Sequence, residues 1–359
     1  MSKTLVSVLI DTYNHERFIE KAIVSVLGQD VSPREREVIV VDDGSTDRTA
    51  EIVRKFEPHV KLVQKANGGQ ASAFNAGIPA CSGEIIAFLD GDDWWGAGKL
   101  ARVVEALEED KSLGLIGHGI VIVHMDGRLQ EDSLNESFVF QADTVEGARS
   151  FRLRKSFLGT SRMTIRADVL RRIGAVPTGI KVQADEYLFT LAAVLSRTRI
   201  LPEVLTYYRM HETNLFQMTG NDPERMRNKQ ESLEKLASSL REELERRGVD
   251  VRARQVITES AQAEADQSRL MNVGGSGWKV IKNEWIIYRI AFPHTALLSR
   301  ILKLASLLPA IVFPAKKFYS ARKRILESKV YGRARRRFLP PSKLPHVNTN
   351  WKPGPKEND

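Results

Sequence analysis

Four short apolar runs, each followed at once by a polar cluster and then by a helical pattern, constrain the first 125 residues more than any other feature. The runs are "LVSVLI" (5–10), "EVIVV" (37–41), "VKLV" (60–63) and "EIIAFL" (84–89). Residues 15–28, 46–57, 69–80 and 97–109 lie between or after them with apolar side chains at helical spacing. No polar residue interrupts Ile85 to Leu89, which predicts a strand buried on both faces. Parallel strands need helical crossovers, and repeated βα units of this length predict an α/β chain. The expected architecture is a Rossmann-like, mostly parallel sheet with helices on both faces. The run "LGLIGHGIVIVHMDGRL" adds a strand with an Asp126-Gly127 turn after it.

In such sheets ligands bind outside the carboxyl ends of the strands. Those ends read Asp11-Thr12-Tyr13-Asn14, Asp42-Asp43-Gly44-Ser45, Asn67-Gly68-Gly69 and Asp90-Gly91-Asp92-Asp93. Three carboxylates directly after an apolar strand repel one another and raise each other's pKa. A divalent metal held by oxygen ligands is the obvious neutralising partner. A helix cap accounts for Asp43 or Ser45 ahead of "TDRTAEIV", but not for four converging polar ends.

Beyond residue 130 the pattern loosens. "SRMTIRA" predicts a strand, "DEYLFTLAAVL" a helix and "EVLTYYRMH" a strand ending in a polar cluster. Residues 223–270 read as a pair of exposed helices, and "GGSG" at 274–277 as a hinge or linker. The single cysteine, Cys81, excludes an intrachain disulfide and any multi-cysteine metal site, in keeping with a reducing cytoplasm. Its expected role is packing. The opening apolar run is too short for a secretory or spanning segment.

Together, "VSVLIDTYNHERFIEKAIVSVLGQ", "EVIVVDDGSTDRTAEIV", "NGGQASAFNAG" and "GEIIAFLDGDDWW" resemble the family two glycosyltransferases of GT-A fold. The motifs run in the family's order over roughly residues 5 to 100, and "QADEYLF" and "LTYYRMHETN" extend the likeness to about 215. The resemblance implies an inverting enzyme with a nucleotide-sugar donor, a UDP-sugar first among them, and Mg²⁺ or Mn²⁺. It implies that Asp42 hydrogen-bonds the nucleotide base, that Thr12 and Tyr13 flank it, and that Asn67 helps hold the nucleoside. Asn14, Asp43, Gly69, Gln70, Asn75 and Asp90 complete the implied donor set. Asp90 and Asp92 form the DxD pair, with Asp92 or Asp93 reaching the metal and His211 near the diphosphate or metal. The general base would be Asp185, with Glu186 as its rival by one residue; a first-turn acid is also favoured there by the helix dipole. His211 reads equally as an ordinary loop or core histidine. Of Trp94 and Trp95, one is expected in the core and the other as a wall for the sugar. Two departures stand out: Asp11 and Phe74 occupy positions where many relatives have Pro and Arg. Lys65 or Gln70 is the expected substitute for that Arg.

The chain then divides into a catalytic domain, 1–215, with a donor half (1–110) and an acceptor half (111–215). A helical extension (216–284), an amphipathic and basic membrane-associating segment (285–338) and a disordered tail (339–359) follow. Residues 316–338 hold ten Lys/Arg against one Glu, which is the chain's whole formal excess of +9. Clustered basic charge after the amphipathic "HTALLSRILKLASLLPAIVF" predicts an anionic membrane surface as partner. The expected location is the inner face of the plasma membrane. No nucleic-acid motif accompanies the charge. The acceptor expected is a saccharide or lipid-linked sugar of cell-surface polysaccharide or glycolipid synthesis. The alternatives are a donor-binding scaffold of the same fold with little turnover, and a nucleotidyltransferase. The second would need a Gly-rich basic loop where "DTYNHERF" stands.

Overall fold

The structure is a computed structural model that describes residues 5–31, 35–212, 214, 222–292 and 297–327. The expected disordered tail, 339–359, and the later half of the basic block lie outside the described residues. The first half alternates as its apolar runs require: β1 (Leu5–Thr12), α1 (Ile19–Leu27), β2 (Glu35–Asp42), α2 (Thr49–Arg54), β3 (Lys61–Gln64), α3 (Gln70–Gly77) and β4 (Ile85–Asp90). There follow β5 (Trp94–Trp95), α4 (Lys99–Glu109), β6 (Leu113–Val123), β7 (Leu129–Asp132), β8 (Phe138–Phe140) and α5 (Val145–Arg154). Next come β9 (Thr164–Arg166), α6 (Ala167–Ile173), α7 (Ala184–Leu195) and β10 (Arg197–Arg209).

One sheet runs in the order β3-β2-β1-β4-β9-β6-β10-β5, with β7 beside β6 and β8 beside β10. β1 pairs in parallel with both β2 and β4, in a register that sets Thr12 opposite Asp42 and Asp11 opposite Asp90. Three acid-bearing strand ends are thereby brought level. β9 is antiparallel to both β4 and β6, whereas β6 and β10 are parallel. The strand expected over "SRMTIRA" is shorter than its apolar pattern. Residues 160–162 make a 3₁₀ turn, because Ser161 is bonded sideways to the neighbouring chain: its carbonyl accepts from Thr206 Oγ1 at 2.9 Å, and its hydroxyl oxygen accepts from the Asp90 N–H at 3.1 Å.

Apolar residues cover both faces. Ile19, Ile23 and Val26 of α1, Val53 of α2 and Leu100, Val103 and Leu107 of α4 close one face over Val8, Ile10 and Val40. Phe74 of α3, Phe151 of α5 and Leu188 and Leu191 of α7 close the other over Leu9, Ile39 and Phe88. Two long helices, α8 (Pro223–Arg246) and α9 (Val251–Asn272), add Leu233, Leu236, Leu240 and Ile257 to this second core. Their starts are fixed by Asp222 and Asp250, whose carboxylates accept first-turn N–H groups. After Gly274, at φ +101, come α10 (Gly277–Ala291), α11 (Leu297–Leu307), α12 (Pro309–Val312) and α13 (Ala315–Glu327).

Candidate functional site

Much of the polar chemistry at the β1 and β2 ends holds the crevice in shape. Asn14 sits at φ +57, accepts the Thr46 N–H on Oδ1 at 2.8 Å and donates its own N–H to Ser45 Oγ at 2.8 Å. Fully buried Asp42 accepts from the Ser45 N–H at 2.9 Å and from Gln64 Nε2 at 3.2 Å. Asp43 receives Lys65 Nζ at 2.5 Å and the Gly69 N–H at 2.7 Å, so it clamps the glycine turn of residues 68 and 69. Gly69 is at φ +82, and a Cβ there would stand 2.7 Å from the Lys181 Cα. Asn67 and Tyr13 remain exposed beside this frame, and Thr12 lies buried with Oγ1 3.1 Å from His15 Nδ1.

The acids after β4 form a tight set. Oxygens of Asp90, Asp92 and Asp93 lie within 4.8 Å of one another. Burial, then the charges of Asp11, Asp92, Asp93 and Asp185, holds Asp90 well above the usual carboxylate range. Burial and Asp92 do the same to Asp93, although Ser161 Oγ donates to it at 2.6 Å and the Arg209 N–H at 2.8 Å. Asp11 is pushed up to about 8 by burial and Asp92, and its Oδ1 is buried with no hydrogen-bond partner. Asp92 behaves differently: burial opposes its charge, but the His211 hydrogen bond at 2.8 Å and nearby His15 lower its pKa. His211 therefore stands behind Asp92, joined there by Asn214 Nδ2 at 3.3 Å and packed on Phe18. A set of converging carboxylates with one orphaned oxygen suits a hard divalent cation, which takes oxygen ligands and removes their mutual repulsion.

Across the crevice, α7 opens with Gln183 at φ +60 and then Asp185 and Glu186. Their environments diverge. Asp185 accepts the Thr160 N–H at 3.1 Å, and burial raises its pKa. Glu186 turns away to Lys155 Nζ at 2.6 Å in a largely buried pair. Gln70 uses both ends of its amide inside the protein, donating to Thr160 Oγ1 at 3.1 Å and accepting the Ala184 N–H at 2.9 Å. Asn75 does likewise with the backbone of Val176, at 2.7 and 2.8 Å. Neither Lys65, held by Asp43 and the Ala66 carbonyl, nor Gln70 extends into open space as a substitute cation or donor.

Trp95 is a core residue, with Lys99 Nζ 3.6 Å from its ring centre. Trp94 is half-buried, stacked on Tyr207 at 5.1 Å and flanked by Lys21 and Arg209. The thiol of Cys81 is pushed up to about 12 by burial and Glu37, which makes it an inert packing group. Ser161, Thr160 and Lys155 carried no signal beyond being ordinary polar residues, while His15 lay unremarked inside the first quoted motif. Arg209, in contrast, lies two residues before His211 in a motif already singled out.

A mixed, mostly parallel sheet with an acid-rich crevice at its carboxyl edge, closed by a half-buried acid on a helix start, defines the class of chain. Residues 7–174 match the profile of glycosyl transferase family 2. An uncharacterized glycosyltransferase of Nostoc sp. is 34% identical over 223 residues, covering 58% of this chain and 66% of that protein. The poly(ribitol-phosphate) beta-N-acetylglucosaminyltransferase TarS of Staphylococcus aureus is 27% identical over 208 residues, 56% of this chain and 35% of TarS. The crystal structure of TarS residues 1–349 with UDP-GlcNAc superposes with TM-score 0.58 at 20% identity, covering 90% of this chain and 92% of that one. A mannosyltransferase of Pyrobaculum calidifontis, solved with GDP-Man and Mn²⁺, superposes with TM-score 0.52 at 20% identity over 94% and 88% of the two chains. Residues 7–174 thus form a glycosyl transferase family 2 domain, and the chain has the GT-A fold. It spans just under two thirds of the Nostoc protein and about a third of TarS.

Proposed function

We propose that the protein is an inverting glycosyltransferase that moves a sugar from a nucleotide-sugar, a UDP-sugar by preference, to a hydroxyl of a saccharide or lipid-linked acceptor. Cell-surface polysaccharide or glycolipid synthesis is the process it would serve; TarS, by its name, adds N-acetylglucosamine to poly(ribitol-phosphate), itself a polymer. The carrying observation is the pairing across one crevice of the acid set Asp90, Asp92 and Asp93 with a separate, half-buried acid, Asp185.

Asp90, Asp92 and Asp93 are the residues to hold Mg²⁺ or Mn²⁺, the latter being the ion bound by the Pyrobaculum neighbour. When bound, such an ion supplies Lewis-acid stabilisation of the negative charge growing on a departing diphosphate. His211 and Asn214 orient Asp92, and Ser161 with the Arg209 N–H orients Asp93. Thr12, Tyr13, Asn67 and the Asp42–Asp43 turn form the nucleoside side. Asp185 is the general base: its raised pKa makes it a stronger proton acceptor, and the Thr160 N–H fixes its direction. The acceptor hydroxyl gives its proton to Asp185 as its oxygen bonds the anomeric carbon. The bond to the nucleoside diphosphate breaks on the opposite face, so the configuration inverts. Trp94, stacked on Tyr207 with Lys21 and Arg209 over its ring, packs within the protein rather than offering an open face to a sugar.

The test is a thermal-stability panel of UDP-, GDP- and dTDP-sugars with Mn²⁺ or with chelator, since a ligand bound only to the folded form raises its stability. The expected result is a metal-dependent shift with one nucleotide class, abolished in Asp92→Asn. Equal shifts with Mn²⁺ and with chelator would sink the assignment of the acids.

A further inference from the structure

The last helices have an inverted polarity. α11 sends Lys303 inward, where Nζ lies 3.0 Å from the buried carboxylate of Glu284 on α10. Its leucines and isoleucine go the other way: Leu297, Leu298, Ile301, Leu302 and Leu304 are 43–73% exposed. The ridge continues through Leu308, Ile311, Val312 and Phe313 at 50–78%. Beneath it, Leu307, Ala310, Ala315, Phe318 and Tyr319 close a small core with Leu270 and Val280. Arg322 of α13 also reaches Glu284, so one buried acid ties α11 and α13 to α10. A single substitution-prone leucine in water needs no explanation; nine large apolar side chains in one contiguous stretch do.

Charge beside the ridge has one sign. Residues 297–326 contain seven Lys/Arg and not one Asp or Glu, and five more Lys/Arg follow between 328 and 338. A groove of about 190 Å³ adjoins α11, lined by Arg152, Trp285, Tyr288, Arg289, Phe292 and Arg300. Its aromatic rings form a ladder, with centroids 5.7 Å apart for Trp285 and Tyr288 and 5.5 Å for Tyr288 and Phe292. Aromatic rings and arginines together suit the headgroup level of a bilayer, where one end is apolar and the other wet. No helix among the described residues is long and apolar enough to cross a membrane. The segment is therefore suited to lying in the interface.

We propose that the outer face of α11 and α12 seats on an anionic lipid bilayer, the ridge entering the acyl boundary while the adjoining arginines and lysines meet lipid phosphates. A second copy of the chain is a poorer occupant. A two-fold contact sets the same patch against itself, and here it would bring two uniformly basic margins together. The proposal lies outside the donor crevice and holds whichever sugar is transferred.

The experiment uses the full chain and sedimentation with vesicles of phosphatidylcholine, alone or mixed with phosphatidylglycerol. Binding is expected only to the mixed vesicles at moderate ionic strength, with release as salt screens the basic margin. The triple variant Leu298→Glu, Ile311→Glu, Val312→Glu should lower partitioning at least about tenfold, since apolar insertion and charge are both needed for stable attachment. These side chains stand in solvent, so the melting midpoint should not move. If it does, the milder pair Leu298→Ser, Val312→Ser serves with the same readout. Equal binding by the variants, equal binding to uncharged vesicles, or a stable dimer that these substitutions dissociate overturns the proposal.

Discussion

Asp185 and Glu186 are neighbours in sequence with different partners in space, so conservative substitution at each separates chemistry from packing. Asp185→Asn keeps the shape of a side chain that accepts the Thr160 N–H at 3.1 Å and the Glu186 N–H at 2.9 Å, and removes its ability to take a proton. Turnover should fall about 10²- to 10⁴-fold, the scale of a positioned base, or roughly 3–5 kcal/mol of barrier. Stability should change little, because relief of a desolvated charge is set against the loss of one of those two bonds: an amide has a single oxygen, and its NH₂ must face the other N–H. Burial raises the Asp185 pKa in the folded state, so its ionised form opposes folding as pH rises above the unfolded value. Asn removes that opposition. Glu186→Gln strands Lys155, whose ammonium lies 2.6 Å from Glu186 and whose side chain is 16% exposed. Breaking a buried pair from one side costs about 3–5 kcal/mol. Glu264, 3.7 Å from the same ammonium, takes up part of the charge, which leaves roughly 2–3 kcal/mol. A domain of this size loses about 2–4 °C of melting midpoint per kcal/mol, so a fall of about 5–10 °C is expected. Scanning fluorimetry reads the stability, and single-turnover transfer reads the chemistry. Donor hydrolysis, with water in place of the acceptor, serves until an acceptor is found. A Glu186→Gln protein that keeps its midpoint but loses more turnover than Asp185→Asn would refute the assignment.

Cation binding should depend on pH with a defined sign. Asp11, raised to about 8, and Asp90 and Asp93, also raised, hold protons in the cation-free protein that a divalent ion must displace. Mn²⁺ affinity should climb between about pH 6 and about pH 8, with proton release seen by calorimetry in two buffers of different ionisation heat. Affinity that is flat across this range counts against a cation among these acids. Lys99 makes a prediction of stability alone. Its amine is fully buried without a hydrogen-bond partner, and burial drives its pKa well below the ordinary lysine value. The folded form thus binds fewer protons than the unfolded form, and stability should rise with pH toward about 10. Lys99→Met should raise the unfolding free energy at pH 7 by about 1–3 kcal/mol, read by denaturant titration, and flatten that rise; a loss of stability would show that the Trp95 contact outweighs burial.

The fold of the first 110 residues was legible in the sequence because its information is local. An apolar run ending in acids is one strand and its carboxyl end, and the parallel register that levels Asp11 with Asp90 follows from buried faces. What sequence could not show was which polar residue faces which. Asp42, Asp43 and Asn14 share motifs with the exposed Tyr13 and Asn67, yet their side chains are bonded to the loop backbone that shapes the crevice. Short strands escaped for the same reason. Trp94–Trp95 and Phe138–Phe140 have too few residues to display a period of two, and both exist because β10 offers them an edge. In the tail, the amphipathic pattern was visible, but not which face of the helix turns inward. Glu284, far off in sequence and buried, draws the Lys303 face inward and leaves the leucines outside.

Gln70 links these observations. The resemblance places it among donor contacts, while its backbone N–H donates to the Lys181 carbonyl at 3.0 Å and its amide joins Thr160 to Ala184. Thr160 in turn orients Asp185, and Ala184 opens the helix that carries it. The adjoining Gly69 N–H is held by Asp43 on the nucleoside side. One short loop thus ties the proposed nucleoside edge of the crevice to Asp185, the proposed base, by a continuous chain of hydrogen bonds. Such a chain fixes the distance between the two reactants' sites, and positioning of that kind supplies a large share of the rate in transfer reactions. It also explains why residue 69 is glycine. A side chain there would drive the loop off Lys181 and part the two halves that the reaction requires at fixed separation.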